Sequence, residues 1–201
     1  MSPKRRRLLL GFAGLLTAPA TLHAQQCRVT PRDALGPFYV KGAPAQPELC
    51  ASGSGGAQRL VVAGKVVDAP DCAPLAGALV EVWQADARGD YSQVGAKPDD
   101  AGCLLRASLK TDAEGRYSFR TVLPGEYPGR PRHIHFRVSH KGYTTLVTQL
   151  YFARERGIPQ ELVVTAAPKD GVLAASFDLT LARTKGDLSF SIGPFNYDSS
   201  R

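Results

Sequence analysis

The chain has 201 residues, of which 43% are hydrophobic and 21% charged. That is enough for one globular domain with a real core and too little for two of ordinary size. The formal net charge is +7, but Lys4, Arg5, Arg6 and Arg7 supply four of the 25 basic residues, and the remaining 21 against 18 acidic residues leave +3. No other Lys/Arg run and no interleaving of aromatic with basic residues follows, which excludes a nucleic-acid footprint.

Those four basic residues open a recognisable segment. They precede the short apolar run Leu8 to Leu16, with small-residue cleavage options after Ala20 or Ala24, as in an export signal. The run is too short to span a membrane. The Arg5-Arg6 pair also resembles a twin-arginine signal, with the general secretory route as the alternative. The expected organisation is a signal over 1–24, an amino-terminal extension over 25–57 and a β-sandwich domain over 58–201. Export to the periplasm or medium, with no membrane association after signal removal, suits two disulfides among Cys27, Cys50, Cys72 and Cys103. Three connectivities are open, and the expectation adopted is Cys27 with Cys50 and Cys72 with Cys103.

Beyond residue 58 the chain reads as strands. Leu60 to Val67 and Ala78 to Trp83 alternate or run apolar and are rich in β-branched residues. Leu104 to Leu109, Tyr117 to Val122, His133 to Val138, Thr144 to Phe152 and Ser176 to Leu181 repeat the pattern. Turn signals such as Asp112-Ala113-Glu114-Gly115 and Pro124-Gly125 separate them. Seven short strands without a convincing helix predict an all-β fold, an antiparallel β-sandwich whose long loops form a metal site. The long loops are Thr30 to Gln58 and Gln84 to Gly102.

The segment Arg130-Pro131-Arg132-His133-Ile134-His135 carries the chemistry. Side chains alternate across a strand, so His133 and His135 share one face while Ile134, Phe136 and Val138 take the other. Two imidazoles one pleat apart, opposite the apolar face, are spaced to share a metal ion. Two loops carry the other candidate ligands: Tyr91 closes the segment from Trp83, and Tyr127 sits directly upstream of the histidine strand. Trp83 and Tyr117 read as core, His140 as a solvated turn residue, and Tyr151-Phe152 as core and adjoining surface. Tyr39 reads either as a residue at the site mouth or as a packing anchor.

At these residues the sequence resembles the intradiol ring-cleavage dioxygenases. The ordered pieces are Trp83-Gln84-Ala85 with Gly89 and Tyr91, Thr111-Asp112 with Gly115, Tyr117 and Phe119, Tyr127-Pro128, Arg130-Pro131 with His133-Ile134-His135, and Gln149-Leu150-Tyr151-Phe152. Gly36-Pro37-Phe38-Tyr39 extends the likeness upstream. The resemblance implies one ferric ion, Fe(3+), held by Tyr91, Tyr127, His133 and His135. Two phenolates and a hydroxide would neutralise its charge in a buried site. Keeping a tyrosine ionised at pH 7 takes a shift of about 3 units, roughly 4 kcal/mol of preferential metal binding.

The resemblance further implies a small aromatic diol and O₂ as substrates, with Tyr127 as a displaceable ligand that accepts a proton. Arg130 would stabilise charge developing on the ring, with Gln149 as its hydrogen-bonding companion. The rival class is the noncatalytic transthyretin-like or carboxypeptidase-regulatory-like sandwich, which Gly64 to Asp68, Pro74 to Val80 and Thr111 to Phe119 also resemble. Four convergent ligands argue against it, since such a module has no use for them. Only five residues separate Tyr127 from His133, and the amino-terminal part is short for the helical dimerisation domain of catechol-type members. Ring-substituent preference and homo-oligomeric state are therefore open.

Overall fold

The computed structural model describes residues 27–50, 56–69, 71–91, 103–126, 129–153 and 156–184. The expected signal over 1–24 and the metal-ligand candidate Tyr127 lie outside them. Among the described residues nine strands form in chain order: β1 (Arg59–Ala69), β2 (Leu79–Gln84), β3 (Arg106–Lys110), β4 (Arg116–Val122), β5 (His133–Ser139), β6 (Leu146–Tyr151), β7 (Ala167–Lys169), β8 (Val172–Ser176) and β9 (Leu179–Ala182). The helical content of the described residues is one 3₁₀ turn at Gln160–Leu162. One sheet runs β3-β2-β5-β6; the other runs β4-β1-β8-β7, with β9 also paired to β1.

The alternation read from the sequence places the core between the sheets. Leu60, Val62, Val66, Tyr117 and Phe119 from one sheet meet Val80, Val82, Ile134, Phe136, Val138 and Leu150 from the other. Phe136 sits among Phe119, Tyr117 and Phe177, with ring centroids 6.1, 6.1 and 5.2 Å away. Full burial of a phenylalanine side chain contributes about 1.5–3 kcal/mol.

Three departures from the sequence reading have local causes. The single strand expected over Ser176 to Leu181 is two, β8 and β9, both parallel to β1. At the changeover the chain bulges against Gly64, where a Cβ would lie 1.9 Å from the Phe177 carbonyl oxygen. Only glycine permits that approach. The Asp178 side chain accepts the Lys65 backbone N–H at 2.8 Å, a bond the ladder would otherwise make. Parallel pairing needs a long crossover, and β1 is separated from β8 and β9 by the six intervening strands β2 to β7; the other five ladders are antiparallel as expected. The β7–β8 hairpin was not expected and turns on Asp170-Gly171, both with positive φ.

The third departure is the disulfide pairing, which is Cys27–Cys72 and Cys50–Cys103 rather than Cys27 with Cys50 and Cys72 with Cys103. The cause is the path of residues 28–49. Thr30 is hydrogen-bonded to Thr180 on β9, and Asp33 N–H donates to Val147 on β6. Leu49 then enters the core, and Cys50 bridges Cys103 ahead of β3. The segment read as an extension is thus a strap across the outer face of the β3-β2-β5-β6 sheet, pinned at both ends.

Candidate metal centre

That outer face carries the candidate site. Antiparallel register sets Trp83 on β2 opposite His135 on β5, and His133 and His135 opposite Tyr151 and Gln149 on β6. Both imidazoles point away from Ile134, Phe136 and Val138, as alternation requires, and both are buried beneath the strap. The Gly36 backbone lies so close that a Cβ there would meet the His135 ring at 3.0 Å. Trp83 stacks on the other side of His135 with centroids 4.8 Å apart and planes 5° from parallel. Trp83 is buried as expected, but it packs on the site and outside the main core.

Tyr91 arrives from a loop that Asp86 organises. The Asp86 carboxylate accepts the backbone N–H groups of Arg88 and Asp90 at 2.8 and 2.9 Å, and its carbonyl accepts Gly125 N–H at 2.7 Å. Burial alone would raise its pKa; the Asp90 and Arg88 N–H groups and the Arg88 side chain outweigh burial and hold it below the usual range. Asp residues seeding such turns are common, and only the fold shows that this turn delivers a ligand candidate. Phe38 stacks on the Tyr91 ring at 4.1 Å. Tyr39 resolves as an anchor: its hydroxyl donates to Glu81 at 3.0 Å, its ring lies 5.0 Å from Trp83, and burial followed by the Glu81 bond raises its pKa.

Three donor atoms converge here. The Tyr91 hydroxyl lies 3.2 Å and His135 Nε2 3.1 Å from His133 Nε2. His133 Nδ1 donates to the Pro131 carbonyl at 2.7 Å, which fixes the tautomer and leaves Nε2 with its lone pair facing the cluster. One lone pair facing two neighbours that close is a poor hydrogen-bond arrangement and a good cation cradle. His135 Nδ1 is buried and makes no hydrogen bond of ordinary geometry, although the nearby Ala34 backbone draws its pKa slightly upward. Burial, then His133, then Arg130 push His135 down to about 3; burial also lowers His133. Both rings are therefore neutral at pH 7, the form a metal requires. No cluster of three or more His, Cys, Asp or Glu occurs among the described residues, so a metal here must draw on tyrosine.

Beside the histidines, Arg130 Nη2 donates to Gln149 Oε1 and to the Tyr151 hydroxyl, each at 2.8 Å. The structure thus brings together Tyr91, His133, His135, Arg130 and Gln149. Tyr151, read from the sequence as core, and Asp33, which the sequence did not mark, join this network: the Tyr151 hydroxyl lies 2.8 Å from Asp33 Oδ2. His140 lies apart near Tyr143, its ring nitrogens facing the carbonyls of Lys141 and Ala76.

A family model described as Dioxygenase matches residues 34–193. The catechol 1,2-dioxygenase of Candida albicans is 37% identical over 183 residues, covering 76% of this chain and 58% of that protein. The hydroxyquinol 1,2-dioxygenase of Rhizobium sp. is 32% identical, covering 93% of this chain and 68% of the relative. Among solved structures, the dioxygenase domain of a dioxygenase–carbohydrate-binding protein fusion from Streptomyces sp. SirexAA-E superposes with a TM-score of 0.67. It is 32% identical and covers 78% of this chain and all of that one.

Proposed function

The chain belongs to the intradiol ring-cleavage dioxygenase family, and from that premise we propose that it opens the ring of a catechol-type diol between the two hydroxyl-bearing carbons. Both atoms of O₂ would enter the diacid product. The observation that carries this reading is the convergence of Tyr91 Oη and His135 Nε2, both within 3.2 Å of His133 Nε2, on a buried sheet face. Ferric iron is the metal whose hardness suits paired phenolates with imidazoles, and Tyr127 is proposed as the fourth ligand from the family motif. Bound there, it would supply the Lewis acidity that draws a catechol into its dianion and the redox partner for O₂.

The chain's own side chains do the rest. Trp83 and the Pro131 carbonyl hold His135 and His133 in orientation, and Phe38 holds Tyr91. Tyr127 takes up a proton from the incoming diol. Arg130, gripped by Gln149 and Tyr151, faces the charge that grows as the ring meets oxygen. Two disulfides support an oxidising compartment, and with the basic, apolar amino-terminal segment they support export.

The test is metal analysis of the purified protein followed by turnover of a catechol panel under labelled O₂. About one iron per chain, a colour from tyrosinate-to-iron charge transfer and a doubly labelled intradiol diacid are expected. Arg130→Ala should keep iron and colour while losing turnover by about 10²- to 10³-fold. A colourless protein with stoichiometric zinc, or a semialdehyde product from cleavage beside the hydroxyls, would refute the assignment.

A further inference from the structure

Arg130 is held by an arrangement of hydrogens set by the residues around it. The Gln149 amide is oriented by its Nε2 donating to the Ala34 carbonyl at 2.8 Å, so Oε1 faces Arg130. Tyr151 has one hydroxyl hydrogen and two acceptors in reach, Asp33 Oδ2 and Gln149 Oε1, each at 2.8 Å. The carboxylate wins, because a charged acceptor makes a hydrogen bond about twice as strong as a neutral amide. Asp33 is itself aimed: its Oδ1 accepts the Ala34 N–H at 2.6 Å and its own N–H donates to Val147 at 2.9 Å.

We propose that Asp33 is a positioning residue for Arg130, acting through Tyr151. By drawing the phenol hydrogen to itself, Asp33 leaves the Tyr151 oxygen and Gln149 Oε1 as two free acceptors for the two hydrogens of Arg130 Nη2. Without the carboxylate, the phenol hydrogen turns to Gln149 Oε1, which must then accept from the phenol and from Arg130 together. Burial, followed by the bond to Asp33, pushes the Tyr151 pKa up to about 12, so the phenol keeps its hydrogen throughout the working range. Asp33 lies on the strap and Tyr151 on β6, 118 residues apart, so the covering segment sets the geometry of a side chain beside the site.

The turnover arm rests on the reaction proposed above, whereas a second arm does not. In iron-loaded protein of unchanged colour, Asp33→Asn and Tyr151→Phe should each lower kcat about 10-fold with KM changed less than about 3-fold, and the double variant should be no worse than either. Thr148→Val, which removes the strap's bond from Thr148 to the Pro31 carbonyl, should leave kcat unchanged and so controls for simple loosening. Independently of activity, side-chain ¹⁵N NMR of the full chain, with gallium(III) as a diamagnetic substitute for iron, should show slow rotation of the Arg130 guanidinium in wild type and fast rotation in Asp33→Asn. Unchanged Arg130 rotation in that variant, or additive losses in the double variant, would overturn the proposal. Asp33-dependent rotation in a protein that turns over no catechol would leave it standing and reject the reaction instead.

Discussion

Acidifying the metal-free protein should destabilise it through His135 before most carboxylates titrate. The folded ring has a pKa of about 3, held down by burial, by His133 and by Arg130, whereas an imidazole in the unfolded chain titrates near 6.5. Between those values the unfolded chain binds the extra proton. Stability therefore rises with pH across that window and is lost as pH falls. At about 1.4 kcal/mol per pH unit, lowering the pH from 6.5 to 4.5 should remove about 2–3 kcal/mol, and the full window at most about 5 kcal/mol. Urea unfolding followed by circular dichroism, at pH 7.5 to 4.5, for wild type and His135→Gln, isolates this contribution because His133 and the acidic groups remain in both. Wild type should lose about 2–3 kcal/mol more than the variant. Loading with iron should not flatten the wild-type curve, since a metal on the lone pair keeps the proton off the folded ring while the unfolded chain still binds it. Parallel pH curves for the two proteins would refute the account of His135 as a ring buried neutral.

Two further outcomes test the frame around the site. Replacing Cys50 and Cys103 with serine opens a loop of 53 residues and should cost about 4 kcal/mol in chemical denaturation, with a similar cost for the Cys27–Cys72 pair; a loss below about 1 kcal/mol would show that the strap is held by its other contacts. Changing Arg5 and Arg6 together to lysine conserves charge, so on a twin-arginine route the protein should accumulate in the cytoplasm by fractionation, whereas normal export would indicate the general secretory route.

What the sequence disclosed follows the range of the interactions concerned. Alternation is local, so the faces of His133, Ile134, His135 and Phe136 could be read directly and the two sheets followed from them. The Asp170-Gly171 hairpin is equally local, with its turn signal legible in the sequence. By contrast, the split between β8 and β9 depends on Gly64 meeting Phe177, residues more than a hundred positions apart. Trp83 against His135 and Tyr151 beside Arg130 depend likewise on the registers of β2, β5 and β6, which no single segment contains. The disulfides defied the expected pairing because the path of the strap, rather than spacing along the chain, decides which cysteines meet.

The strap also orders events in time. Its contacts with β6 and β9 join residues 30–34 to residues 145–180, among the widest sequence separations in the described fold. A chain made from its amino terminus therefore carries the cover of the site from the start, but has nowhere to lay it until the last strands exist. Contacts of such span close late and slowly. Sealing of His133 and His135 from water is accordingly a property of the finished chain, and a metal ion that enters before then meets an open sheet face from which it can leave.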